Sequence, residues 1–189
     1  MPISIEADPT LAQGYIKVNG TTAATVTTTG LTTASLQNAV VTQAKFASNV
    51  ASNGPAFRAY AGTTTSVVSA TGAYVNFSLK NYDTNNNFSV VDNKFTPTVA
   101  GYYQINAGCS YDSPYASNAS AQIYKNGAVH SAGFVIVGTT ARVAVSDIVY
   151  CNGTSDFIQI FSNHVSGANR TILAEQAGTF FSGCLVRAA

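Results

Sequence analysis

From residue 55 onward the chain is a succession of short alternating apolar runs broken by turn residues, with no stretch of helical periodicity. Ala56-Phe57-Arg58-Ala59-Tyr60-Ala61 opens the series, and Tyr74-Val75-Asn76-Phe77-Ser78-Leu79 follows. Gly101 to Tyr111, Ala121 to Lys125, Ala141 to Tyr150, Phe157 to Phe161 and Phe180 to Val186 complete it. A period of two puts every second side chain on one face of a strand. Asn126-Gly127 after Ala121-Gln122-Ile123-Tyr124-Lys125 is the strongest short hairpin signal. Strand upon strand without a helix predicts an all-β sandwich or jelly roll.

Residues 1–54 have a different texture. They are rich in Thr and small residues, and Tyr15 and Phe46 are the only aromatics before residue 55. The change falls at Ser52-Asn53-Gly54-Pro55, a turn cluster. The expectation is an extended N-terminal arm over residues 1–54 and a jelly-roll domain over 55–189. Gly14 to Gly20 reads as a short strand, Ala23 to Thr29 as another. Leu36, Val40, Gln43, Ala47 and Val50 follow a four-three spacing that fits a stalk helix, and an irregular extended segment fits equally. So few large apolar side chains build no core, so other chains must hold the arm. Ile3, Ile5, Leu11, Tyr15 and Ile16 are its expected anchors, being the apolar side chains nearest the free end.

Composition narrows the function classes. Of the 189 residues 46% are hydrophobic, enough for a sizeable core, but only 9% are charged, against about 25% in ordinary soluble domains. Thr, Ser, Asn and Gly take over the polar surface, a texture of β-rich extracellular or virion proteins. The net charge is +1 and the basic residues are scattered, which argues against nucleic-acid binding. No apolar run approaches the roughly 20 residues of a membrane-spanning helix. Met1-Pro2-Ile3-Ser4-Ile5-Glu6 has neither the basic nor the apolar region of a secretory signal, so synthesis in a host cytoplasm is expected.

Candidate chemical sites are few. Cys109, Cys151 and Cys184 are odd in number, widely spaced and set in apolar runs, so three buried free thiols are expected. His130 and His164 are isolated, and no metal or cofactor is expected. Asp83-Thr84-Asn85-Asn86-Asn87 resembles a calcium loop at first. Phe88 and Lys94 stand where such a loop needs glycine and a bidentate glutamate, so it reads as a polar turn. No nucleophile and base are visibly paired, and the expectation is a protein without enzymatic activity. Asn-x-Ser/Thr sequons such as Asn76-Phe77-Ser78 follow from the composition, and Tyr111 to Tyr115 reads as an exposed loop.

Three segments resemble the C1q/TNF-like family. Phe95-Thr96-Pro97-Thr98-Val99-Ala100-Gly101-Tyr102-Tyr103-Gln104-Ile105 is similar to its Phe-x-x-Pro-x-x-Gly-x-Tyr-x-Phe pattern, with one extra residue before the glycine and Ile105 at the last aromatic place. Lys125-Asn126-Gly127 matches its hairpin, and Phe181-Ser182-Gly183-Cys184-Leu185 its closing strand. The turn Asn152-Gly153-Thr154-Ser155-Asp156 departs from the family's Gly-Asp, which bears on the loop and on any ion site there. The resemblance implies a ten-strand jelly roll that forms a homotrimer through one broad face. Tyr103 and Phe181 then fill either the core or the trimer interface, Gly101 permits the turn into its strand, and Gly183 allows close backbone approach. Leu31-Thr32-Thr33-Ala34-Ser35-Leu36 and Val41-Thr42-Gln43-Ala44-Lys45-Phe46 resemble linker phrases of bacteriophage fibre and virion surface proteins. Together these imply a structural protein of a bacteriophage virion. The first expectation is a trimeric capsid decoration (cement) protein, its arm on the major capsid protein or another virion protein. The alternatives are a tail or head fibre tip that binds a host surface glycan or protein, and a soluble ligand-binding module.

Overall fold

A computed structural model describes residues 3–8, 13–18, 21–27, 30–31, 54–112, 118–135 and 142–189. The chain divides into two compact units, Met1–Ala51 and Ser52–Ala189. The first contains an antiparallel meander of β1 (Ile3–Asp8), β2 (Gln13–Val18), β3 (Thr21–Thr27) and β4 (Gly30–Leu31). The two strands read from the sequence are β2 and β3, and the meander adds one on each side. The helical reading of Ala34 to Ala51 lies outside the described residues.

The second unit is a sandwich of two antiparallel sheets. Its strands are β5 (Ala56–Tyr60), β6 (Thr65–Val67), β7 (Ala73–Tyr74), β8 (Leu79–Asp83), β9 (Phe88–Ser89) and β10 (Lys94–Phe95). There follow β11 (Gly101–Ser110), β12 (Ala119–Lys125), β13 (Ala128–Val135), β14 (Arg142–Cys151), β15 (Ile158–His164), β16 (Arg170–Ile172) and β17 (Phe180–Ala188). One sheet runs β14-β11-β17-β5-β8, the other β13-β12-β15-β10-β9 with β7 beside β15, and β6 pairs with β16.

Alternation explains which side chains meet between the sheets. On β11, Tyr103, Ile105, Ala107 and Cys109 point inward; on β14, Val143, Val145, Val149 and Cys151 do so. Ala119, Ala121 and Ile123 of β12 and Ile158 and Ile160 of β15 line the facing layer. At the centre Phe57 stacks on Phe95, with ring centroids 4.3 Å apart, and on Phe88 at 5.2 Å. Phe181 meets Phe57 edge-on at 4.8 Å. Offset and edge-to-face contacts of this kind add about 0.5–1.5 kcal/mol each to the burial itself. Gly183 makes room for them: a Cβ there would lie 2.8 Å from Ile105 Cδ1 and 2.9 Å from Phe57 Cε1. The Gln104 carbonyl oxygen of the neighbouring strand would stand 3.3 Å away as well, so Gly183 admits both close backbone approach and core side chains. Gly101 serves close approach rather than a turn, since a Cβ on it would stand 2.4 Å from the Arg187 carbonyl oxygen of β17.

Three further expectations are corrected. Cys109 and Cys151 are buried, but Cys184 is exposed, because on β17 the inward places go to Phe181 and Gly183. Tyr111 is not a loop residue at the surface; it is fully buried, its hydroxyl 2.7 Å from Ser162 Oγ. Residues 113–117 lie outside the described residues. The run Tyr74 to Leu79 buries Val75 and Phe77 as its alternation requires, but it is not one strand. Asn76 N donates to Thr65 Oγ1 at 3.0 Å and Phe77 N to Asn93 Oδ1 at 2.6 Å, so side chains replace the ladder there. Leu79, at its end, is exposed.

Candidate functional site

The outward positions of β11, β14 and β17 carry exposed large apolar side chains. Tyr102 and Tyr150 are direct cross-strand partners with ring centroids 5.4 Å apart, and Ile148 sits opposite Gln104 one step along. Val186 stands at the irregularity of β17 between Leu185 and Arg187, which pair with Tyr103 and Tyr102. A bulge at such a point turns an extra side chain to the surface. Tyr102, Ile148, Tyr150 and Val186 are 45%, 50%, 42% and 54% exposed. Tyr102, Ile148 and Val186, with Arg187, Ala188 and Ala189, line an open hollow of ≈ 460 Å³. Leu79 and Tyr82 of the edge strand β8 are exposed as well.

A polar row adjoins the apolar one. Gln104 Nε2 donates to Ser146 Oγ at 2.9 Å, and Ser146 Oγ donates to Asn106 Oδ1 at 2.8 Å. Such a row fixes side chains that would otherwise be free to rotate on an exposed sheet. Cys184 lies opposite Gln104 on the other side.

Tyr103 and Phe181 both lie in the interior of one copy, with no exposed surface. Tyr103 donates its hydroxyl to the Val99 carbonyl at 2.7 Å, and burial, with Cys151 nearby, pushes its phenol up to about 12. Of the two places weighed for these rings, they occupy the core. Their neighbours in sequence, Tyr102 and Phe180, point the other way. The Gly-Tyr-Tyr-Gln order held this signal, because in a strand one of two adjacent tyrosines must face outward. Among the expected arm anchors, Ile5 pairs with Ile16, Ile3 with Val18 and Tyr15 with Glu6 in the meander. Leu11 lies outside the described residues.

The loops the sequence singled out spend their polar groups internally. Asp83 Oδ1 accepts from the Asn87 N–H and Oδ2 from the Phe88 N–H, both at 3.0 Å, while Lys80 Nζ lies 2.9 Å from Oδ2. This carboxylate closes a turn. In the loop that departs from the family pattern, Gly153 takes a φ of +73° and Asn152 Oδ1 accepts from the N–H groups of Thr154, Ser155 and Asp156, each at 3.0 Å. Asp156 in turn accepts from Asn126 Nδ2 at 2.7 Å and from Asn152 N at 3.0 Å, with Lys125 Nζ 2.9 Å away. Its carboxylate has three protein partners. His130 Nε2 stands 3.7 Å from Asp147 Oδ2, and His164 is buried with Nε2 3.0 Å from the Val67 carbonyl oxygen. Among the described residues no three His, Cys, Asp or Glu side chains are grouped to hold a metal ion.

No protein-family model matches the chain, and no curated protein matches it in sequence. Solved structures do match in shape. The globular domain of zebrafish complement 1qA protein superposes with a TM-score of 0.52 at 16% identity, covering 71% of this chain and 99% of that one. Murine APRIL gives 0.56 at 10% identity, with 70% and 98% covered. Eiger TNF from S. frugiperda gives 0.54 at 9%, with 72% and 95% covered. At such identities the likeness concerns the fold alone: residues 54–189 adopt a C1q/TNF-like jelly-roll sandwich.

Proposed function

We propose that the chain is a trimeric virion structural protein, a capsid decoration (cement) protein of a bacteriophage. Its N-terminal arm docks on the capsid and its jelly roll forms the displayed knob. The observation that carries the trimer is the Tyr102–Ile148–Tyr150–Val186 surface, four large apolar side chains about half exposed in one copy. An exposed apolar patch is stabilised by being covered, and a closed ring of like copies covers it without leaving an open end. Leu79 and Tyr82, on the β8 edge of the same sheet, give each copy a second apolar region to set against a neighbour's Tyr102 and Ile148.

The virion reading is supported by the Thr- and Asn-rich surface, the phage-like phrases of the arm, and an arm with few large side chains. Ile3, Ile5, Leu11, Tyr15 and Ile16 are its proposed anchors, each contributing about 1.5–3 kcal/mol if fully buried on a neighbour. Three arms held by one trimer would gain 10²–10⁴-fold in avidity, on the order expected for linked sites. The protein is then made in the host cytoplasm, acts without a cofactor, and contacts protein rather than nucleic acid or membrane.

Deleting residues 1–30 tests the division of labour. The truncated protein is expected to remain a trimer and to stop co-purifying with particles. Loss of the trimer, or continued decoration, contradicts the assignment of the arm. Copy number separates cement from fibre tip: hundreds per particle are expected, and tens or fewer would make the protein a fibre.

A further inference from the structure

The outer face of the second sheet has a different chemistry. Its outward side chains form three rows across the strands. Phe134 of β13, Ser120 of β12 and Asn163 of β15 make the first, by register. Ala132, Gln122, Phe161 and Tyr74 make the second. Val129, Tyr124 and Gln159 make the third. Tyr74, Tyr124 and Phe161 form one aromatic cluster with centroids 5.0–5.6 Å apart. Tyr74 is 43% exposed, and among the described residues neither its hydroxyl nor that of Tyr124 makes a hydrogen bond.

Beside the cluster lies a hollow of ≈ 230 Å³ whose lining includes Asn118, Ser120, Gln122, Phe134, Asn163 and His164, the buried imidazole being engaged by the Val67 carbonyl at 3.0 Å and by Ser166 N at 3.3 Å. The Phe134 ring, 73% exposed, forms its apolar wall. Gln122 Nε2 donates to Ser120 Oγ at 2.9 Å, which leaves the Gln122 carbonyl oxygen uncommitted among the described residues. Asn163 Oδ1 is withdrawn from water and, among the described residues, has no hydrogen-bond partner. Buried acceptors are nearly always paired, and an unpaired one is costly. Among the described residues no group holds that oxygen, so the amide can turn toward a donor entering the hollow.

No outward position in these rows is Asp, Glu, Lys or Arg. Lys125, at the end of β12, is engaged by Asp156 at 2.9 Å. The face therefore offers π surfaces, amides and phenolic hydroxyls, without a formal charge to pair with an ionic ligand. We propose that the Phe134–Gln122–Asn163 hollow and the adjoining Tyr74–Tyr124–Phe161 cluster form a binding site for a neutral saccharide. Pyranose rings present one face of C–H groups, which packs on aromatic rings, and a rim of hydroxyls that both donate and accept. Asn163 Oδ1 and the Gln122 carbonyl accept from that rim, and the tyrosine hydroxyls serve it from the side. An acidic sugar would bring a charge into a site with no cation, at the cost of its hydration. A buried protein partner would leave the same amides to be matched one by one, whereas a sugar supplies a donor at nearly every carbon. This inference goes beyond the cement reading and requires neither the trimer nor the capsid, because each row lies within one copy.

The full-length protein is applied to an array of neutral hexose and hexosamine oligosaccharides beside sialylated and sulfated ones, and hits are titrated by calorimetry. Binding to neutral glycans is expected. Phe134→Ala and Tyr74→Ala should each weaken it at least tenfold with an unchanged melting temperature. Gln122→Ala, a half-buried surface change, provides the same test should Tyr74→Ala disturb the cluster. Thr154→Ala, exposed in the β14–β15 loop, should bind as the parent does. The proposal is overturned by binding to no neutral glycan, by binding confined to sialylated or sulfated ones, or by variants on this face that bind like the parent.

Discussion

Asn126 Nδ2 donates to Asp156 Oδ1 across 2.7 Å, and this bond joins the β12–β13 turn to the β14–β15 loop. Asn126 and Gly127 take φ values of +53° and +80°, as a two-residue hairpin turn of the mirror type requires. Asn126 Oδ1 also accepts from the Phe157 N–H at 2.9 Å, so both ends of one amide are used. The hairpin's sequence signal and the departure at Asn152 to Asp156 are thus two halves of one junction.

That junction sets a pH dependence. The Asn126 hydrogen bond foremost, and Lys125 after it, hold the Asp156 carboxyl below its ordinary range. A depressed folded value means that the ionised form stabilises the fold above the ordinary carboxylate pKa. That contribution fades as pH falls through the depressed value. Thermal melts of the parent and Asp156→Asn between pH 7 and pH 3 should therefore converge at the acid end. Curves that stay parallel throughout would show that Asp156 carries no such linkage.

The Phe57–Phe181 core leaves no room for a methyl group at Gly183. Gly183→Ala should cost about 1–3 kcal/mol by overpacking, lowering the melting temperature by roughly 2–4 °C per kcal/mol for a chain of this size. Phe181→Ala should cost about 3–5 kcal/mol through the cavity it opens. Denaturant titrations at one fixed protein concentration measure both, and a Gly183→Ala variant as stable as the parent would mean the packing there is looser than described.

Much of this sandwich was legible in the sequence because its long strands alternate. Gly101 to Ser110 and Arg142 to Cys151 pair over their whole lengths, and their inward residues follow from period two. The strands that were not legible, such as Phe88–Ser89, Lys94–Phe95 and Arg170–Ile172, are too short to show any period. Leu79–Asp83 is an edge strand exposed along most of its length, so it carries no apolar alternation. Alternation required one of Tyr102 and Tyr103 to face outward but did not say which, and the structure exposes Tyr102. The Tyr74–Tyr124–Phe161 cluster was not legible, because strand pairing brings those rings together from distant parts of the chain. Cys184 was misplaced because an apolar run does not say which of its members faces the core.

The cysteines give a direct check on that alternation. Burial pushes the Cys109 thiol up to about 12, against an opposing hydrogen bond with Ser162, and the Cys151 thiol up to about 11. Thiols in that state are slow nucleophiles. Maleimide labelling of the native protein at pH 7 should yield at most one adduct per chain, mapping to Cys184, and three after denaturation. A native adduct on Cys109 or Cys151, or fewer than three in denaturant without reductant, would contradict the free buried thiols.

In the proposed trimer, other copies of the chain cover the Tyr102–Ile148–Tyr150–Val186 surface. Light scattering on the purified full-length protein at micromolar concentration tests it most directly, beside Ile148→Asp, a change at a half-exposed position that one copy should tolerate. The parent is predicted to have three times the chain mass and Ile148→Asp a single chain mass with an unchanged strand signature in circular dichroism. A parent that is a stable monomer, or an Ile148→Asp variant that remains a trimer, would contradict the account.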